Sequence, residues 1–114
     1  MTIELFAGMP VSDKDAAEDW YARLWGGAPT FRPNDVEAVW EVAEHRYVFY
    51  EVRPDRAGGG QVTLFVSDFD ERLEEISDRG LAPTSRETYD NGVRHVTFTD
   101  PDGNEISFGG APLP

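Results

Sequence analysis

The chain contains no cysteine and only two histidines. Without cysteine, disulfides, thiolate metal sites and a cysteine nucleophile are excluded. Basic residues are scarce as well: 10 Lys and Arg against 22 Asp and Glu leave a formal net charge of −12 at pH 7. A field of that sign repels the phosphate backbone and anionic lipid and attracts cationic ligands, so neither nucleic acid nor a membrane surface is expected as a partner. No run approaches the length of a membrane span, and the N-terminal MTIELFAGMPVSDKD has no basic segment, no long apolar core and no small-residue cleavage site. A cytoplasmic location is the resulting expectation. Apolar mass, by contrast, is ample. Hydrophobic residues make up 39% and aromatics 12% of 114 residues, enough for one packed domain over 1–114.

An internal repeat organises that domain. Val11 to Thr30, VSDKDAAEDWYARLWGGAPT, lines up with Val66 to Thr84, VSDFDERLEEISDRGLAPT. The chain thus divides into module one, about residues 1–54, and module two, about residues 61–114. Between them RPDRAGGG, residues 53–60, combines proline with three consecutive glycines and reads as a linker that holds neither helix nor good strand. The same glycines lack the Lys and helix of a phosphate-binding loop.

Each module opens with an apolar strand that runs into Val-Ser-Asp. Asp13 and Asp68 stand where an N-cap side chain accepts from free backbone N–H groups, and Glu71 completes a capping-box spacing after Asp68. Ala17, Trp20, Tyr21 and Leu24 in the first helix, and Phe69, Leu73 and Ile76 in the second, follow helical apolar spacing. Gly26-Gly27 and Gly80 supply stops. Three strands follow each helix: Ala28 to Arg32, Val36 to Val42 and Tyr47 to Val52, then Ala82 to Tyr89, Val93 to Thr99 and Glu105 to Phe108. Turns are expected at Pro33-Asn34-Asp35, Glu44-His45-Arg46, Asp90-Asn91-Gly92 and Asp100 to Asn104. The fold class is α+β: two βαβββ modules in tandem, whose curved mixed sheets carry a helix on one face and enclose a cleft with the other.

The doubled Val-Ser-Asp helix start, the duplicated βαβββ order and the C-terminal FTDPDGNEISF, Phe98 to Phe108, together resemble the vicinal oxygen chelate superfamily of glyoxalases, extradiol dioxygenases and bleomycin-resistance proteins. The resemblance covers almost the whole chain and implies a cleft completed or neighboured by a homodimer. It also implies where metal-dependent members place their ligands: seven residues before each capping Asp, and in the last strand of each module. Those positions fall on Phe6, Gln61 and Ser107, with either Tyr50 or Glu51 as the first-module counterpart of Ser107. A divalent ion wants about three charged or imidazole donors. Phe6 has no lone pair, Gln61 offers a neutral amide and Ser107 a weak hydroxyl, and His45 and His95 have no metal spacing. No metal and no other cofactor is therefore expected.

Two function classes follow. The first is a metal-independent binding protein that sequesters an aromatic, cationic small molecule in the cleft, as bleomycin-resistance members of the superfamily do. Phe6, Gln61, Ser107, Tyr50, Glu51 and Trp40 are its candidate ligand-binding residues. Phe6 alternates with Leu5 and Ala7, whereas the alternation of Trp40 with Ala38 and Val42 is equally that of a buried face. The second class is a diverged lyase, isomerase or dioxygenase that uses a divalent metal or Glu4, Glu51 or His95 as general base.

Overall fold

A computed structural model describes all residues 1–114. Module one consists of β1 (Leu5–Val11), α1 (Lys14–Trp25), β2 (Phe31–Asn34), β3 (Glu37–Ala43) and β4 (Arg46–Val52). Module two repeats the order with β5 (Gln61–Phe65), α2 (Phe69–Asp78), β6 (Ser85–Thr88), β7 (Arg94–Thr99) and β8 (Glu105–Gly110). Neither helix is long and apolar enough to cross a membrane.

The helix starts differ between the modules. Asp13 caps α1 as its position suggests, its carboxylate accepting from the Ala16 N–H at 3.0 Å. Asp68 precedes α2 without a side-chain cap bond, because its carboxylate is turned to the Arg72 guanidinium at 3.1 Å instead. The expected capping box is therefore absent. Gly26 closes α1 in the left-handed region at φ 91°. Two strand starts move inward from the expected Ala28 and Ala82, to Phe31 and Ser85. Pro29 and Pro83 have no N–H to give a ladder, so regular pairing waits until the chain has passed them. Pro33 and Asn34 belong to β2 rather than to a turn; β2 is an edge strand, where a missing N–H is tolerated. The linker, expected to be irregular, contains one 3-10 turn at Pro54–Arg56.

Each module forms a four-stranded mixed sheet, in the orders β1-β4-β3-β2 and β5-β8-β7-β6. In both, the first strand pairs in parallel with the last, and the remaining pairs are antiparallel. Strand alternation sends Met9, Val48, Tyr50 and Trp40 toward α1, and Ile106, Phe108, Val96 and Phe98 toward α2. These side chains join Tyr21, Leu24 and Ile76 in one continuous core drawn from both modules.

Polar contacts fasten the modules to each other. The Asp100–Asn104 turn of module two reaches the β1–α1 junction of module one. The Tyr21 hydroxyl donates to Asp100 at 2.7 Å, the Asn104 amide donates to the Pro10 carbonyl at 2.7 Å, and Ser12 donates through N–H and hydroxyl to Asp102. Asp100 also accepts from the Asp102 and Asn104 N–H groups at 2.9 Å and from the Asn104 side chain at 2.7 Å. The turn motif is thus an inter-module clasp as well as a reversal of direction. At the other end of the helices, Arg79 donates to the Arg23 and Leu24 carbonyls and ties α2 to the last turn of α1.

Candidate functional site

Each sheet has one face covered by a helix and one face open, and strand register decides which residues share the open face. In the first sheet Phe6 lies beside Tyr47, Gly8 beside Phe49 and Pro10 beside Glu51. Across β4, Phe49 lies beside Val39, and Val39 beside Phe31. The open face of module one is therefore aromatic through its centre. Phe6 stacks on Tyr47 with ring centroids 4.3 Å apart and planes 11° from parallel, and Phe31 meets Tyr47 edge-on at 6.3 Å. Phe6 and Phe31 remain 46% and 42% exposed, so both present apolar surface outward. A Cβ on Gly8 would run into the Phe49 ring, and this close approach lets Phe49 lie flat across β1.

Carboxylates border the stack. Glu4 accepts from the Tyr47 hydroxyl at 3.2 Å and lies 3.3 Å from His45. Glu41 is next to Tyr47 on the same face. Burial, reinforced by the Glu4 carboxylate, pushes the Tyr47 hydroxyl up to about 12, so it stays neutral and donating at ordinary pH.

Of the candidates taken from sequence, Phe6 and Glu51 occupy this open face. Trp40 and Tyr50 do not. Trp40 is 4% exposed on the α1 side and donates to the Gly27 carbonyl at 2.9 Å. Tyr50 is fully buried on the same side and donates to Glu18 at 2.9 Å. Their expected place in the cleft is corrected to the core, where large rings fill the space under the helix and each polar atom finds a partner. Glu18 is also gripped by both Nη atoms of Arg32. Those hydrogen bonds, with that of Tyr50, hold its carboxyl at about 2, below the ordinary 4.5, against an opposing effect of burial.

Register also identifies the first-module counterpart of Ser107. Ser107 lies beside Thr63, and Thr63 matches Gly8 in the repeat; the residue beside Gly8 is Phe49, which replaces both Tyr50 and Glu51 in that role. Phe49, Tyr47 and Phe31 share this open face and were not singled out from the sequence. A glycine inside the apolar strand Leu5–Val11 was the available signal, since it marks a close approach by a neighbouring ring.

The second sheet's open face is polar. Thr63, Ser107, Thr97 and Ser85 lie side by side across its four strands. The Ser107 and Thr97 hydroxyls are 2.8 Å apart, and both residues are buried. Gln61 is exposed beside Glu105, and His95 stacks on Tyr89 at 5.6 Å. Phe6 and Glu51 thus lie on one sheet, Gln61 and Ser107 on the other. None of the larger cavities is lined by members of both pairs.

The donor set does not suit the divalent ion that metal-dependent members of the superfamily use. Phe6 contributes a stacked hydrocarbon ring, Phe49 another, and the Ser107 hydroxyl is already engaged with Thr97. No three His, Asp or Glu side chains are grouped to hold a metal anywhere in the chain.

No family model and no curated protein matches the chain. Solved structures do. A glyoxalase/bleomycin resistance protein from Catenulispora acidiphila DSM 44928 is 48% identical over 97% of this chain and 100% of its own, with a TM-score of 0.93. A bleomycin-binding protein in complex with bleomycin is 19% identical, over 96% of this chain and 99% of its own, with a TM-score of 0.77. TnmS3, an antibiotic-binding protein from Streptomyces sp. CB03234, is 23% identical over 99% and 98%, with a TM-score of 0.70. The latter two likenesses bear on fold alone. Identity of 48% over nearly the full length of both chains, joined to the duplicated βαβββ architecture, carries the assignment: the chain belongs to the glyoxalase/bleomycin resistance protein family of the vicinal oxygen chelate superfamily.

Proposed function

We propose that this protein is a metal-independent binder that sequesters an aromatic, cationic small molecule, acting as a homodimer in the cytoplasm. The observation that carries this reading is the half-exposed Phe6–Tyr47 stack with Glu4 on the Tyr47 hydroxyl. A planar guest can extend the stack, and a cation is favoured both by ring faces and by the bordering carboxylates. Small-molecule binding in structural neighbours named for bleomycin and antibiotic binding supports the same class of role.

The homodimer follows from what one chain leaves open. Strands β1 and β5 are sheet edges, and a groove of about 630 Å³ runs between them, lined by Leu5, Ala7, Val62 and Leu64. Leu5 and Phe65 are 61% and 68% exposed there, and the buried Trp25 Nε1 has no acceptor. Unpaired edges with apolar side chains favour strand-mediated association.

Titration with acridine orange and with neutral and anionic planar dyes of similar size tests the reading. The cationic dye should bind tightest, with affinity falling as salt rises. Phe6→Gln, which installs the residue found at the matching position of module two, should weaken it about tenfold, the order of one lost aromatic contact. Tightest binding by the anionic dye, or an unchanged affinity in Phe6→Gln, overturns the proposal. Light scattering that finds only monomer at high micromolar concentration and moderate salt removes the dimer.

A further inference from the structure

At the linker end of the aromatic face lies a cavity of about 340 Å³ lined by two arginines and one carboxylate. Phe49 forms part of its wall, and Arg53 and Arg56 from the linker line it together with Glu51. Arg53 lies at the limit of an ion pair with Glu51, 3.9 Å away. Arg56 forms no ion pair within the chain, although acidic groups outnumber basic ones 22 to 10. Two guanidinium groups, one of them without a carboxylate, therefore converge on a concave site in an otherwise acidic molecule.

The three linker glycines are not equivalent. Gly58 has φ +92°, and a Cβ there would overlap the Asp102 carbonyl. A Cβ on Gly60 would lie 2.7 Å from Met9 Sδ and 2.8 Å from Asn104 Oδ1. Backbone and packing thus require glycine at both. Gly59 has no such requirement: its φ is outside the left-handed region, and a Cβ would meet only the Arg56 carbonyl oxygen at an ordinary 3.8 Å. Gly59 nevertheless lines the cavity. A side chain is therefore tolerated at a position that borders the space beside the arginines.

We infer that this cavity is an anion-accepting subsite that takes a carboxylate carried on a short arm of the guest, held by the planar forks of Arg56 and Arg53 and kept open by Gly59. The inference rests on the proposed binding of a cationic aromatic group at Phe6 and Tyr47, and it makes the preferred guest zwitterionic. Along β4, Tyr47 and Glu51 are separated by about 13 Å at the usual rise per residue, a span that a ring system with a short acid arm covers. A guanidinium presents donors in a geometry that matches a carboxylate, and an arginine already without a partner gives up little to bind one.

The test uses 9-(carboxypropylamino)acridine and its methyl ester, followed by acridine fluorescence. The free acid should bind the wild-type chain about tenfold tighter than the ester, the order of one charge-assisted hydrogen bond. Arg53→Gln with Arg56→Gln should abolish that preference without weakening ester binding, and Gly59→Leu should abolish it by crowding the arginines. A second readout does not depend on the aromatic face: benzoate, and not benzamide, should shift the Gly59 amide and Arg56 Nε–H resonances in the wild-type chain. Failure of the ester to bind, with benzoate shifts intact, counts against the aromatic site and leaves the subsite standing. Equal binding of acid and ester without benzoate shifts, or a preference that survives loss of both arginines, overturns the inference.

Discussion

Across the middle of the first sheet the row Gly8, Phe49, Val39, Phe31 carries no polar side chain, whereas the matching row of the second, Thr63, Ser107, Thr97, Ser85, carries a hydroxyl on every strand. The opposite faces of the same strands agree in character. Val48, Tyr50 and Trp40 under α1 correspond to Ile106, Phe108 and Phe98 under α2, and all are buried. Burial against a helix demands apolar volume in both modules, and a change there leaves a cavity or an unpaired polar group. An open face carries no such demand. The two halves therefore share a scaffold and differ in the central row of the open face, which is apolar in module one and hydroxyl-bearing in module two.

The turns that join the last two strands of each module differ just as much, and breaking them should give the largest effect. Asp100 is 4% exposed and accepts from Tyr21, from the Asn104 side chain and from two backbone N–H groups. Asp100→Ala leaves those donors unsatisfied in the interior and should cost about 3 kcal/mol or more. The corresponding turn of module one places His45 at φ 62° and fastens nothing across the modules. His45→Gly should be neutral or slightly stabilising, because glycine adopts that φ without strain. Urea unfolding of the two variants measures the contrast; similar midpoints would show that the turn of module two is no clasp.

A smaller effect comes from exchanging residues between the central rows. Gly8→Thr imports the residue that stands at the matching position of module two, and its side chain collides with the Phe49 ring. Overpacking of this kind should destabilise by about 2 kcal/mol. Because Phe49 must tilt off β1, the variant should also bind planar cationic dyes less tightly. The reciprocal Thr63→Gly should leave dye affinity unchanged. Equal affinity for Gly8→Thr and wild type would mean that the flat seat of Phe49 is irrelevant to the aromatic face.

The smallest expected effect separates the modules by pH. Glu18, Arg32 and Tyr50 form a hydrogen-bonded set between α1, β2 and β4, whereas the matching positions in module two are Leu73, Arg86 and Phe108. The folded-state pKa of Glu18 is depressed to about 2 from 4.5, so the unfolded chain binds the extra proton first. The contribution is present above about 4.5 and is lost as pH falls through that window toward 2. Glu18 keeps substantial contact with solvent, so screening limits the size of the effect. Thermal unfolding between pH 5 and pH 2 should show a shallower decline in Glu18→Gln than in wild type; parallel curves would assign the acid sensitivity elsewhere.

The element order, the duplication and most helix and turn positions could be read from the sequence because they rest on local chemistry. Helical apolar spacing, proline, glycine and the Asp13 cap each act within a few residues of chain. The ends of β2 and β6 were less legible, since pairing there depends on where a partner strand resumes a regular ladder after Pro29 and Pro83. Of the residues singled out, Phe6 and Glu51 lie on the aromatic face, Gln61 and Ser107 lie on the other sheet, and Trp40 and Tyr50 lie in the core. Phe6 was singled out by what the family resemblance implies seven residues before Asp13, and it lies half-exposed on the open face.

The sequence by itself determined that two βαβββ modules would form and that each strand would divide its residues between two faces, because a strand alternates with a period of two whatever surrounds it. Which face would be covered was decided by the tertiary structure. The strand RYVFYEV places Tyr47 and Phe49 on one side and Val48 and Tyr50 on the other, so hydrophobicity is nearly balanced across it and cannot choose. The parallel register with β1, which sets Gly8 under Phe49, and the packing of α1 over Tyr50 break that tie. The same packing sends Trp40 and Tyr50 to the core and leaves Phe6, Tyr47 and Phe49 on the open side. A register slip of one residue would exchange the two sets, and only long-range contacts exclude it.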